Sequence, residues 1–265
     1  MKHVGAIAGR ELRSLFVSPV AYVVLTLWAV LGAFFFLSSL VQFQEILVRL
    51  QQFQMFDRLA EMNLNDELVA PFFGTMWIML IFGIPAVTMS LFTADKQNRT
   101  DELLLTSPIT IWEIVIGKYL AVAFFTVLLV LLTGFFPGLL FVYGDPELGK
   151  TAAGLLGLLL VALAYSAIGA FASSITSNQI IAFFVGLVIL LIFLILSVVA
   201  ELGASQGLLG AENWPAEVMR WLATADHFQR LSDGLVETRD LVYFVVITGV
   251  FLLLTKAAVE SVRWR

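Results

Sequence analysis

D-K-Q-N-R-T-D-E-L-L-L-T-S-P-I-T-I-W-E-I-V-I-G-K, residues 95–118, is a charged island in a chain that is otherwise almost wholly apolar. Uncharged runs flank it at 68–94 and 119–144. Each is long enough to cross a bilayer, which takes about 20 residues. A short connection between two spans needs only a few turn residues, but this one holds a helix-like block at 98–106, closed by Ser107-Pro108. The residue before a proline is pushed out of the helical region. A new helix then starts at Thr110, with Glu113 three residues on to complete a capping box. A small helix lying across the membrane face has to touch something outside the membrane, so the block reads as a docking element.

The rest of the composition fits a membrane protein. Of 265 residues, 60% are hydrophobic and 13% charged, with a mean hydropathy of +0.95. No soluble domain hides that much apolar surface. There is no cysteine, hence no disulfide framework, thiolate metal site or thiol nucleophile. The first apolar run begins late and is too long for the core of a cleavable signal peptide.

Six spans are expected, at about 19–41, 71–93, 111–136, 151–172, 179–200 and 241–259, forming one all-α domain over 1–265. Residues 1–18 precede them as an amphipathic helix lying in the interface. Val4, Ile7, Ala8, Leu12, Leu15 and Phe16 share one face at 100° per residue, with Lys2, Arg10 and Arg13 on the other. Glu11 falls inside the apolar face, where an edge position reaching the headgroups is favoured over an ion pair. A kink is expected at Gly83-Ile84-Pro85. The polar knot S-S-I-T-S-N-Q at 173–179 splits fifty uncharged residues into spans 4 and 5, and the small residues Gly154, Gly157 and Gly169 mark span 4 for close packing. Residues 42–70 and 201–240 are the two large outer segments; the first carries Ile46, Leu50, Phe53, Phe56 and Leu59 at near-helical spacing, so part of it is expected to be amphipathic helix, and the second rests on or dips into the outer leaflet through its tryptophans.

Orientation follows from Lys and Arg. With the N-terminus inside, nine of the fifteen are cytoplasmic: Lys2, Arg10, Arg13, Lys96, Arg99, Lys118, Lys256, Arg263 and Arg265. That excess predicts both ends in the cytoplasm, and it puts the block at 98–106 there too.

Gly144 to Thr151 reads G-D-P-E-L-G-K-T, a literal match to the phosphate-binding pattern G-x-x-x-x-G-K-[ST]. It is rejected on three grounds. Asp145 and Glu147 would point acid at a polyphosphate, the following helix is apolar all round, and the topology puts the loop outside. His3 and His227 are the only histidines and lie at opposite membrane faces, so they form no catalytic pair or two-histidine metal site. Span hydroxyls such as Ser38, Thr88, Thr126 and Ser166 read as helix–helix hydrogen bonders. No enzyme is expected. No span carries an ionisable group near its centre, where ion-driven carriers keep one; energy for transport would have to arrive as force on a cytoplasmic contact.

The motif R-T-D-E-L-L-L-T-S-P at 99–108, followed by E-I-V-I-G-K-Y-L-A at 113–121, resembles the coupling-helix region of ABC-2 type transporter permeases, and among them the gliding-motility-type branch. The pattern usual there is G-T-x-E-x-L-L-x-x-P. Thr100, Glu102, Leu104, Leu105 and Pro108 match it; Arg99 stands where glycine is usual and Asp101 where an apolar residue is usual. The S-P-V-A-Y-V stretch at 18–23 resembles that branch's junction between elbow helix and first span. The resemblance implies a bacterial inner-membrane permease subunit of an ATP-driven exporter, with an elbow helix bearing Arg10, Glu11 and Arg13. It implies a homodimer or heterodimer of permeases, contacted by a separate ABC ATP-binding subunit through Arg99, Thr100, Asp101, Glu102, Leu104, Leu105 and Pro108. ATP and Mg would belong to that subunit, with no cofactor in this chain and no nucleic acid as partner. The alternatives are a non-transporting scaffold that passes mechanical work to an extracytoplasmic auxiliary protein and, behind it, an ion-coupled carrier. The substrate is not legible.

Overall fold

The computed structural model describes residues 3–55, 57–58, 62–100, 109–206 and 221–262. Nine α-helices and one π-helical turn make up the described chain: α1 (Val4–Val17), α2 (Pro19–Gln52), the π-turn (Asn65–Val69), α3 (Ala70–Thr88), α4 (Ser90–Gln97), α5 (Ile111–Tyr143), α6 (Leu148–Ser174), α7 (Gln179–Gln206), α8 (Thr224–Ser232) and α9 (Thr238–Val262). No strand occurs among the described residues. Six helical stretches are long and apolar enough to cross a membrane, α3 and α4 counting with the π-turn as one. The protein is an all-α, multi-pass membrane protein.

Helix α6 is the axis of the bundle, packed against α3, α5, α7, α8 and α9. Its small residues allow this. A side-chain carbon at Gly169 would collide with the Thr88 hydroxyl of α3, and one at Gly157 would lie 2.9 Å from Leu231 Cβ of α8. Without a hydrophobic force between helices in lipid, such close approach and cross-helix hydrogen bonds hold the bundle. Thr126 and Ser166 supply one, their hydroxyls 2.9 Å apart between α5 and α6. Thr88 instead bonds back to Ile84 O within its own helix.

The helix that holds the first span runs on to Gln52, so helix expected within 42–70 is present and joined to that span without a break. The residues beyond 41 are mostly good helix formers (Gln42, Gln44, Glu45, Leu47, Arg49), so leaving the lipid changes their polarity without ending the helix. The helix passes Pro85 and is interrupted only at Met89, whose backbone stays in the right-handed helical region. There Ser173 of α6 enters the backbone ladder, accepting from Phe92 N–H at 2.9 Å and donating to Met89 O at 3.1 Å. A side chain inserted into the i→i−4 series is an established cause of helix breaks. The segment expected to lie on the outer leaflet contributes to the bundle itself. Its helix α8 packs into the bundle against α6 and α7, burying His227, Phe228 and Leu231.

The end of the bundle opposite the 173–179 turn is stitched by short polar contacts. Asn65 accepts from Glu147 N–H at 2.7 Å and donates to Thr151 Oγ1 at 2.8 Å. At the α8–α9 corner, buried Asp240 accepts from Arg230 Nε at 3.2 Å and faces His227 Nδ1 at 2.6 Å. The hydrogen bond to Asp240 raises the Arg230 guanidinium above its ordinary pKa despite its partial burial.

Candidate coupling site

The charged island lies between α4 and α5, and its borders are set by local chemistry. At the α5 start, Thr110 Oγ1 accepts from Glu113 N–H at 3.3 Å and Glu113 Oε2 accepts from Thr110 N–H at 3.2 Å, the expected reciprocal box. At the α4 end, Thr100 N–H donates to Asp95 O at 2.9 Å and Arg99 N–H to Lys96 O at 3.3 Å. That pairing is the Schellman stop, whose turning residue adopts the left-handed conformation. Arg99 does so, with φ 55°. Glycine's usual place in the resemblance pattern therefore has a backbone reason, and the arginine here fills it at some steric cost. The block expected to be helical from 98 is corrected accordingly: α4 ends at Gln97, and Asn98, Arg99 and Thr100 form its cap. Asp101, Glu102, Leu104, Leu105 and Pro108 lie outside the described residues.

Beneath the island is a buried ion cluster. Lys118, 1% exposed, has its Nζ 3.0 Å from Glu11 Oε1 of α1 and 2.7 Å from Asp95 Oδ2 of α4. It also donates to Leu91 O at 2.7 Å. The Asp95 Oδ2 contact is an ion pair outside hydrogen-bonding alignment. Arg10 closes the group from the solvent side, 2.6 Å from Glu11 and 3.9 Å from Asp95. Its hydrogen bond to Glu11 raises the guanidinium above its ordinary pKa, against partial desolvation. Glu11 is thus an ion-pairing residue and not a headgroup edge. Arg13 is exposed. Helix α1 reaches this depth because position 117 is glycine; any Cβ there would sit 2.8 Å from Ile7 Cβ.

The α6–α7 turn joins the same end of the bundle. Lys96 Nζ donates to Ser174 O, and Gln97 Nε2 to Ser177 O at 3.0 Å. From the last helix, Lys256 Nζ stands 5.7 Å from the centre of the Trp112 ring. The elbow, the charged island, the 173–179 turn and the end of α9 thus share one face of the bundle, as an even number of crossings requires.

Lys118 and Asp95 were not among the expected site residues. Their signal was available, since a lysine inside one apolar helix and a glutamate inside the apolar face of another are each costly alone. The phosphate-loop look-alike is at the opposite end, and its key groups are committed elsewhere. Lys150 Nζ lies 3.1 Å from Asp66 Oδ1, and Glu147 N–H and Thr151 Oγ1 engage Asn65. Residues 138–143 before it are helical.

No curated protein matches the chain. A family model described as "ABC-2 family transporter protein" matches residues 40–223, well over half of the 265. Six membrane-length helices, one of them the close-packed axis, with the charged connection on one face, agree with that match, and the chain belongs to the ABC-2 transporter family as a membrane permease component.

Proposed function

We propose that the chain is the permease subunit of an ATP-driven ABC-2 type exporter, closest to the gliding-motility-type branch. It sits in a bacterial inner membrane with both ends in the cytoplasm and works as a dimer with two separate ATP-binding subunits, which hold the ATP and Mg. The segment from Arg99 to Pro108 is the contact those subunits push, Arg99, Asp101 and Glu102 being its charged contact residues and Leu104 and Leu105 its apolar ones.

One observation carries this reading. The helices that enter and leave the segment, α4 and α5, are clamped to each other and to the elbow helix through Lys118, Asp95 and Glu11. A push on the segment therefore moves three elements as a body and reaches α6 through Ser173 and Lys96. A loop with no partner has no need of so stiff a base. The charges buried among the described residues, Lys118 and Asp240, sit near the ends of their helices. That favours force from an outside ATPase over an ion-coupled carrier.

Affinity purification of the tagged chain from its native membrane tests the reading. The expected result is co-purification of an ATP-hydrolysing subunit, with no hydrolysis by the chain alone. A chain that purifies without such a subunit yet drives solute movement by an ion gradient overturns it.

A further inference from the structure

We propose that the exposed arginines of the elbow helix, Arg10 and Arg13, form a binding surface for the phosphates of anionic phospholipids at the bilayer edge. The surface needs only a membrane edge at this depth, whichever subunit drives the protein.

Two helices set the depth. Arg13 is the last charge before residues 14–44, and Lys118 the last before 119–144, both stretches being uncharged. Ile7 of α1 meets Gly117 of α5, Glu11 meets Lys118, and the Phe16 ring lies 6.1 Å from that of Phe125. Helix α1 therefore descends beside α5 in the same direction, toward the apolar run. That puts Arg10 and Arg13 where both apolar runs begin, at the level of the lipid headgroups. Their face is continuous with the lipid. Arg10, Arg13 and Val17 stand at i, i+3 and i+7 and so share one stripe of α1. All three are exposed, Val17 by 77%, while the other side of α1 is taken up by α5 and α2. Val17 ends α1 where the first span begins, so the arginines lie one and two turns from a residue in contact with acyl chains.

The positive charge on this stripe is unopposed. Glu11 is the one acidic residue of α1, and it turns inward to Lys118. Arg13 pairs with no side chain among the described residues. Arg10 spends only Nη2 on Glu11 and Asp95, which leaves Nε and Nη1 without a partner among the described residues. A guanidinium carries five donors in a planar fork that fits phosphate oxygens, so Arg10 can hold a phosphate and Glu11 at once. A bound headgroup then extends an alternating string of charges, from phosphate through Arg10 and Glu11 to buried Lys118. Each arginine near an anionic membrane surface contributes about fivefold in affinity. Continuity of the stripe with Val17 favours lipid over a groove on a cytoplasmic protein.

The test follows the thermal unfolding temperature of the purified full chain in detergent, because a ligand of the folded state raises it. The chain is titrated with phosphatidylglycerol, with phosphatidylcholine and with inorganic phosphate. Phosphatidylglycerol should raise the temperature saturably, and the other two should not. Arg13→Gln removes no contact among the described residues and should raise the half-saturating phosphatidylglycerol concentration about fivefold; Arg10→Gln with Arg13→Gln should raise it about 25-fold. Lys256→Gln, on the same face but paired with Glu260 at 3.3 Å, should leave it unchanged. Equal shifts in Arg13→Gln and Lys256→Gln mark diffuse attraction to any cation and overturn the site. An equal response to phosphatidylcholine or to inorganic phosphate overturns it as well. If Arg13→Gln takes up phosphatidylglycerol like the original but loses an ATP-binding subunit on co-purification, the stripe serves that protein and the lipid assignment falls.

Discussion

Lys118 Nζ lies 3.0 Å from Glu11 Oε1, joining helices whose contacting residues are 107 positions apart. The lysine is sealed from solvent and the glutamate nearly so. Breaking a buried pair by removing one member costs about 3–5 kcal/mol, because the other charge is left uncompensated. Lys118→Met should therefore lower the thermal unfolding temperature of the purified chain markedly. Adding Glu11→Gln and Asp95→Asn to it should recover much of the loss. An unchanged transition in Lys118→Met would show that the cluster holds nothing together.

Ser173 is the second joint of this end. Replacing it by alanine leaves the Phe92 N–H without its partner at the helix break. An orphaned buried donor costs about 1–3 kcal/mol. Ser173→Ala should be destabilised by that amount in thermal unfolding, and Ser173→Thr, which keeps the hydroxyl, should be affected less.

The look-alike loop yields a prediction of near silence. Lys150 and Asp66 are a partly exposed pair, of a kind worth about 0.2–1 kcal/mol. Lys150→Ala should shift stability within that range and leave ATP binding by the assembled complex unchanged. A large loss of ATP binding would show that the loop contacts phosphates.

Topology can be read by reporter fusions. Fusions at Asn98 and Asn178 are expected to report cytoplasm, and a fusion at Asn63 the outside. An outside signal at Asn98 would overturn the orientation and, with it, any contact of this face with a cytoplasmic subunit.

Much of the architecture was legible because it is local. Apolar length alone marks the spans, and the Thr110–Glu113 box depends on residues three apart. Helix beyond residue 41 was legible from the apolar spacing there, but its unbroken continuity with the first span was not, since hydropathy records only where the apolar run stops. Glu11 and Lys118 could be seen as misplaced charges, but nothing in their own neighbourhoods tells which partner each meets. The break at Met89 was equally hidden, because its cause, Ser173, arrives from another helix. The role of Asp101 to Pro108 rests on the motif resemblance, with Arg99 and Thr100 as the part of the segment whose geometry is described.

The central claim is that this segment is gripped by an ATP-binding subunit. Truncating one member of a charge pair at a partly buried interface costs about 2–5 kcal/mol, or about 30-fold and more in affinity. The most direct measurement is co-purification and ATP hydrolysis in complexes carrying Arg99→Ala, Asp101→Ala or Glu102→Ala, and all three together. Glu102→Ala, more than Asp101→Ala, is expected to weaken ATPase binding or uncouple hydrolysis while the permease still inserts and dimerises. A triple-alanine variant that assembles and hydrolyses ATP like the original would contradict the account.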